Sequence, residues 1–148
     1  NVPLVMLGEG KDVPLIAKRA KELGITDMII HHDYTPQVGW YLHKAKFLIL
    51  SSRYEGFPRV LIEALSVGTP VVSVDCKSGP KEVVQHEKNG LLVPNHNPEK
   101  LANAISRMYT DKQLYDRCKA FAKESVQHLS IENIAKQWEE RILEAIKD

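Results

Sequence analysis

Short apolar segments alternate with segments of helical periodicity along the chain, and this alternation restricts the possible folds more than any other feature. Five apolar runs predict β-strands, at 3–7, 28–30, 47–50, 71–74 and 91–93. Apolar residues at helical spacing predict helices between them, at 13–23, 35–45, 58–68 and from residue 80. Strands that alternate with helices through short loops form parallel sheets. We therefore predict an α/β fold, a doubly wound parallel sheet with helices on both faces.

The pattern changes after Pro98, where only helical periodicity remains. Helical segments begin there, at Leu114 and at Ile131, and they predict a helical carboxyl-terminal tail. The length favours a single domain over residues 1–148. Because Asn1 leads at once into a run that looks buried, Val2 to Leu7, we expect the chain to be a piece of a longer protein.

Composition excludes several classes of protein. The chain has 20 basic and 19 acidic residues, so its net charge of +1 gives no electrostatic reason to expect nucleic acid as a partner. Its longest apolar runs are far shorter than the roughly 20 residues that span a bilayer. The two cysteines, Cys76 and Cys118, give neither a disulfide framework nor the spacing of metal ligands. We expect a cytoplasmic protein without a metal site.

The segment from Ser51 to Leu65 is the strongest candidate for a functional site. A strand ends, a loop containing Gly56 turns, and a helix is predicted to begin at Pro58. Ligands of such sheets bind at the carboxyl ends of the strands, and a helix start favours an anion such as a diphosphate. The helix dipole contributes only about 0.3–1 kcal/mol when exposed, so other groups must hold the rest of a ligand.

Glu55 and Glu63 are suited to that task. A carboxylate accepts two hydrogen bonds at once and can therefore hold neighbouring hydroxyls of a sugar or a ribose. The neighbours of Glu63 are apolar on both sides, so we expect its carboxylate to be buried and to meet a ligand. Two alternatives stay open: Glu55 only stabilises the helix dipole, or Glu63 lies on a narrow strip that faces solvent.

The run from Glu55 to Glu63 resembles the E-x7-E motif of the retaining glycosyltransferases of family 4, which have the GT-B fold. Further segments occur in the order typical of that family: Leu7-Gly8-Glu9-Gly10, Ser51-Ser52, Glu55-Gly56-Phe57-Pro58, Glu63-Ala64-Leu65, Gly68-Thr69-Pro70-Val71-Val72 and Asn89-Gly90-Leu91-Leu92-Val93. The resemblance covers about residues 3–110. It implies that this chain is the Rossmann-like, carboxyl-terminal half of a GT-B enzyme, the half that binds the donor.

The resemblance also implies roles for residues at the predicted helix start. Glu55 would be the catalytic residue that contacts the donor sugar, and Glu63 would hold the ribose hydroxyls. Backbone N–H groups around Phe57, Arg59 and Val60 would surround the diphosphate. Gly56 would belong to the same donor-binding loop, and Pro58, which has no N–H, would contribute shape only.

Residues of the first predicted strands complete the implied donor site. The segment from His31 to Tyr34 would lie near the nucleobase, with His32 and Tyr34 as its contacts. Gly8-Glu9-Gly10 is similar to a dinucleotide fingerprint, but Val13 stands where a third glycine belongs. We interpret these glycines as a tight turn and include Gly10 among the donor-binding residues. His31 and His32 are adjacent in a strand and point to opposite faces, so they are not a metal pair.

The implied function is retaining glycosyl transfer from a nucleoside-diphosphate sugar, most simply a UDP-sugar, without metal or other cofactor. The setting would be the synthesis of surface polysaccharide or lipopolysaccharide, with the full-length enzyme at the inner face of the plasma membrane. The family's basic pair and its amino-terminal, acceptor-binding domain are absent from this sequence, so we expect donor binding without turnover. Two alternatives remain: a sugar-nucleotide epimerase of similar architecture, and a non-catalytic interaction module.

Overall fold

The computed structural model describes residues 2–146, and Asn1, on which the expectation about the start of the chain rests, lies outside them. The elements are β1 (Leu4–Leu7), α1 (Val13–Glu22), β2 (Ile29–His32), α2 (Val38–Lys44), β3 (Leu48–Leu50), α3 (Arg59–Ser66), β4 (Val71–Asp75), α4 (Pro80–Val83), β5 (Gly90–Pro94), α5 (Pro98–Thr110), α6 (Lys112–Ser125) and α7 (Ile131–Ala145). All strand pairs are parallel. The predicted α/β class and the helical tail are confirmed.

Two helices begin later than the sequence predicts. The predicted helix at 35–45 starts only at Val38, because the Thr35 hydroxyl accepts a hydrogen bond from the Gln37 backbone N–H at 3.1 Å and holds a turn there. The helix after β3 starts at Arg59, with Pro58 as the residue that precedes it. Both differences reflect local polar or proline geometry at a helix start, where sequence patterns define boundaries poorly.

The described residues form two compact units, one up to Val38 and one from Gly39 onward. In the first unit β1 pairs with β2, with Leu4 opposite Ile29. The expectation that the run from Val2 to Leu7 is buried is wrong for its first residues, since Val2, Leu4 and Val5 are 41–49% exposed within the described residues. The reason is that β1 has a neighbour on one side only in its two-stranded sheet.

The second unit is built on a three-stranded parallel sheet in the order β3-β4-β5. Helix α5 packs against β4 and β5, and α3 packs against β3 and β4, so the central strand β4 is the most deeply covered. Its core consists of apolar side chains from the sheet and from the helical tail: Val72, Val74, Cys76, Leu91, Val93, Ala104, Met108, Leu114 and Cys118. The tail is therefore part of the core of this unit through α5 and α6.

A buried asparagine joins the sheet to the tail. Asn89, just before β5, is fully buried, and its amide nitrogen donates to the Val83 carbonyl and to the Ser125 hydroxyl, both at 3.0 Å. Its side-chain oxygen accepts from the Gln85 N–H at 2.9 Å. Removal of the amide would take this partner from the Val83 carbonyl and the Gln85 N–H and would leave the Ser125 hydroxyl with its bond to the Ala122 carbonyl at 2.6 Å. An unsatisfied buried polar group is costly.

Replacing Asn89 with alanine is expected to lower the free energy of unfolding by about 2–3 kcal/mol, because it removes three hydrogen bonds of a fully buried side chain. The matched control is Asn103→Ala on the exposed face of α5, where we expect a change within about 0.5 kcal/mol. Urea unfolding of both variants measures the difference. Equal stabilities of the two variants would contradict the structural role of Asn89.

Candidate functional site

Three loops follow the strands of the second unit at the carboxyl edge of the sheet, and they are joined to one another. They are 51–58 after β3, 76–79 after β4 and 95–97 after β5, and we call them the carboxyl-edge loops. Tyr54 continues the parallel pairing with Lys77 beyond the ends of β3 and β4. The side-chain amide of Asn95 donates to the Arg53 carbonyl at 3.1 Å. The candidate site residues of 55–63 thus belong to a surface that all three strands support.

A close approach of two backbones holds the first two loops together. Gly79 has φ +99°, and a Cβ built on it would lie 2.4 Å from Cδ of Pro58. Both residues are buried. Only glycine fits here, because it permits the positive φ and leaves room for the proline ring. The start of α3 is therefore packed against the start of α4.

The start of α3 has an unusual geometry that selects which backbone N–H groups can meet a ligand. Pro58 has φ −79° and ψ 72°, close to an inverse γ-turn, and the Arg59 N–H donates to the Phe57 carbonyl at 2.8 Å. The N–H of Arg59, one of the three expected to surround a diphosphate, is thus already engaged. Those of Phe57 and Val60 have no acceptor among residues 2–146. These two N–H groups are the available anion donors.

Glu63 is exposed, with 47% of its side-chain surface accessible, so the expectation that it is buried is wrong. Helix α3 turns Leu61, Ala64 and Leu65 inward, and this spacing leaves position 63 on the outer face with Arg59. The Arg59 guanidinium lies 3.8 Å from the Glu63 carboxylate. The structure thus favours the alternative in which Glu63 lies on a strip that faces solvent. In this position its carboxylate is accessible to a ligand.

Glu55 is half-buried, and a buried thiol lies next to it. Cys76, the residue after β4, is 3% exposed. Burial raises the pKa of the Cys76 thiol, and the nearby negative charge of Glu55 raises it further. The thiol is therefore neutral at physiological pH and adds no charge beside Glu55. Sequence reasoning assigned Cys76 no role, although its position after β4 corresponds to the position of the Glu55 loop after β3.

The surface around Glu55 is open and carries basic side chains. A Cβ added at Gly56 would meet no atom within 4 Å, and Phe57 is 50% exposed. Four exposed basic residues lie in the loops after β3 and β4 and the first turns that follow these two loops: Arg53, Arg59, Lys77 and Lys81. Two of these, Lys77 and Lys81, were not singled out from the sequence. Their charges favour an anionic ligand here.

The remaining predicted site residues lie at the carboxyl end of the first unit's own sheet. Gly8 has φ +117° and donates its N–H to the His32 carbonyl at 3.0 Å, and the Gly10 carbonyl accepts from the Val13 N–H. This confirms the tight turn between β1 and α1. His31 is hydrogen-bonded through its ring to the Gly8 carbonyl at 2.7 Å. Tyr34 is 79% exposed.

The part of the chain that the structure describes offers neither a metal site nor a membrane span. Within residues 2–146 no group of three or more histidine, cysteine and acidic side chains is placed to hold a metal ion. Over the same range, no helix has both the length and the apolar character that a membrane crossing requires.

A parallel α/β sheet with accessible N–H groups at a helix start, at the carboxyl edge of the sheet, is the arrangement of a nucleotide-binding fold. The chain belongs to the family described as glycosyl transferases group 1, whose sequence profile matches residues 1–125. The resemblance drawn from the motifs is confirmed by this match. It also favours a glycosyltransferase over the epimerase alternative.

Three similar proteins illustrate the relationship. The lipopolysaccharide 1,6-galactosyltransferase of Escherichia coli is 40% identical over 97 residues, which cover 62% of this chain and 27% of that protein. The poly(ribitol-phosphate) alpha-N-acetylglucosaminyltransferase of Staphylococcus aureus is 30% identical over 132 residues, which cover 88% of this chain and 27% of that protein. A similar solved structure is that of a mutant of S. aureus TarM, crystallised in complex with fondaparinux, alpha-GlcNAc-glycerol and UDP. It is 30% identical in sequence and has a TM-score of 0.85, and the match covers 93% of this chain and 28% of the TarM chain. This chain thus spans little more than a quarter of the length of these relatives.

Proposed function

We propose that this chain is the donor-binding domain, over residues 1–148, of a retaining hexosyltransferase that uses a UDP-sugar. One observation carries the proposal. Glu55 and the backbone N–H groups of Phe57 and Val60, which have no acceptor among the described residues, lie together at the start of α3 on the carboxyl edge of the sheet. A nucleotide sugar needs both: donors for its diphosphate and a carboxylate for its sugar hydroxyls.

The diphosphate is assigned to the start of α3. The N–H groups of Phe57 and Val60 donate to it, and the positive end of the helix dipole adds up to about 2 kcal/mol when partly buried. Arg53 and Lys77, on the neighbouring loops, supply positive charge. These groups take the part that a metal ion plays in other transferases, so the proposed reaction needs none.

The hydroxyl groups of the donor are assigned to the two acids. Glu63 holds the ribose hydroxyls from the outer face of α3, and its exposure means that the carboxylate loses little solvation before the ligand arrives. Glu55 contacts the sugar and stabilises the positive charge that develops at the anomeric carbon. Gly56 leaves open space beside Glu55 for the sugar ring.

Uridine as the nucleoside and retention as the stereochemistry draw support from the relatives. The TarM complex contains UDP, and the name of the S. aureus relative specifies an alpha-linked product. UDP-sugars of this kind carry the diphosphate in the alpha configuration, so an alpha-linked product retains it. We assign the nucleobase to His32 and Tyr34, as the family resemblance implies. We also assign Gly10 to the donor site, as a residue whose backbone the ligand approaches closely.

The proposed setting draws support from the same relatives. The E. coli relative is named for lipopolysaccharide and the S. aureus relative for poly(ribitol-phosphate). We assign the acceptor to a domain of the full-length protein outside this chain, and the reaction to the cytoplasmic side of the plasma membrane. On its own the chain is then expected to bind the donor without transferring it.

A calorimetric titration of this chain with UDP, GDP and ADP tests the proposal. We expect UDP to bind most tightly and Glu63→Gln to weaken it about tenfold, since a hydrogen bond to a charged group contributes about 1.5–3 kcal/mol. The matched control is Glu144→Gln, another exposed helical acid paired with an arginine, here Arg141 at 3.3 Å. This control should bind UDP as the unmodified chain does.

Three results would count against the proposal in different ways. No binding of any nucleotide at millimolar concentration, with an intact fold, would favour the non-catalytic interaction module. Selective UDP binding that is equally strong in Glu63→Gln would keep the donor domain and remove the ribose role from Glu63. An altered UDP-sugar released by the full-length protein without any acceptor would favour the epimerase.

A further inference from the structure

Asn95, the first residue after β5, makes two hydrogen bonds with different functions. Its side-chain oxygen accepts from the His96 N–H at 2.9 Å and stabilises its own loop, where His96 has φ +55°. Its side-chain nitrogen donates to the Arg53 carbonyl at 3.1 Å, across to the loop that follows β3. The second bond joins the loops that follow β5 and β3, two strands that are not neighbours because β4 lies between them.

A shift of the Arg53 backbone would also shift Glu55, because Arg53 precedes Glu55 by only two residues. Between them, Tyr54 is paired with Lys77 of the β4 loop. The segment that leads to Glu55 is thus held from the β4 side by backbone pairing and from the β5 side by the Asn95 amide. Beyond Glu55 the chain reaches Gly56, where the surrounding space is open. The position of the Glu55 carboxylate therefore depends on the anchors that come before it.

We propose that Asn95 is a positioning residue for Glu55, and that its amide donor sets where the carboxylate meets the transferred sugar. This inference rests on the proposed function. Displacing a reacting group by about 1 Å can lower a rate 100-fold, even when the change is made at a residue that touches no substrate. Asn95 acts through the Arg53 backbone, so its loss should affect turnover more than nucleotide affinity.

The test compares Asn95→Ala and Asn95→Asp in the full-length enzyme that contains this chain. Alanine removes both hydrogen bonds, whereas aspartate keeps the acceptor for His96 and removes only the donation to Arg53. We expect both variants to lower kcat about 10- to 100-fold, the range that misplacement of a reacting group allows. The Kd for UDP should stay within about twofold in the alanine variant, because that variant changes no donor to the diphosphate.

The matched control is Asn97→Ala in the same loop. Asn97 accepts a hydrogen bond from the Lys100 N–H at 2.9 Å and begins α5, so its loss should lower Tm and leave kcat unchanged. An unchanged kcat in Asn95→Ala would overturn the positioning role. If kcat fell only in Asn95→Asp, the new negative charge and not the lost hydrogen bond would be the cause. A wild-type enzyme that neither binds UDP nor transfers sugar would instead overturn the proposed function itself.

Discussion

Glu55→Gln in the full-length enzyme is expected to lower kcat about 100- to 1000-fold, the cost of removing one group that stabilises charge in a transition state. The amide keeps the size of the side chain and its place beside buried Cys76 but removes the negative charge. The affinity for UDP should change less than about threefold, because the proposed function assigns the nucleotide to the start of α3 and to Glu63. Initial-rate kinetics with a UDP-sugar, together with calorimetry with UDP, separate the two effects.

A second variant resolves the alternative in which Glu55 only stabilises the helix dipole. Glu82 is an exposed acid in the first turn of a helix, α4, at the neighbouring junction, whereas Glu55 is half-buried and lies in the loop before α3. A dipole contribution of about 0.3–1 kcal/mol would make Glu55→Gln and Glu82→Gln similar, with slightly lower Tm and normal kcat. Such similarity would remove Glu55 from the chemistry.

Gly79→Ala is expected to lower the free energy of unfolding by about 2–6 kcal/mol, since overpacking and a strained positive φ each cost about 1–3 kcal/mol. The new methyl group would lie 2.4 Å from Cδ of Pro58, and the backbone at φ +99° disfavours any side chain. UDP affinity should fall too, because relief of the clash must move the start of α3. Thermal unfolding measures the first effect and calorimetry the second.

Gly56→Ala is the matched control for this variant. A Cβ at position 56 meets no atom within 4 Å, so its Tm should equal that of the unmodified chain. If Gly79→Ala were equally stable, the close packing of the two loops would not exist in solution.

The sequence pattern predicts the elements of this fold well because strands and helices differ in hydrophobic period. All five strands and the helical tail are where the pattern places them, within a few residues. The two helix starts differ from the prediction for local reasons, but the wrong expectation about the burial of Glu63 has a cause that is not local. Glu63 has apolar neighbours on both sides, yet only the face of α3 that meets the sheet decides its exposure, and the sequence does not show which face that is.

Some residues of the candidate site can likewise be predicted from a local segment of the sequence, and others cannot. Glu55 and the N–H groups near it are visible in the sequence, since one short segment carries the strand end, the loop and the helix start. Asn95 is not visible, because its bond to Arg53 joins residues 42 positions apart in different loops. Cys76 was likewise missed, since only the pairing of Tyr54 with Lys77 brings it next to Glu55. Contacts of this kind depend on the order of strands in the sheet, which no local pattern contains.

The joined carboxyl-edge loops have a consequence for any attempt to change the ligand of the proposed site. Tyr54 pairs with Lys77, Pro58 fits against Gly79, and Asn95 binds the Arg53 carbonyl, so an insertion in one loop would displace the other two. We therefore expect changes of loop length to be tolerated only when all three loops change together, as one module. A Cβ at position 56 meets no atom within 4 Å, so a substitution there would alter the open surface without disturbing these anchors. A graft of donor preference from a relative would transfer all three loops at once.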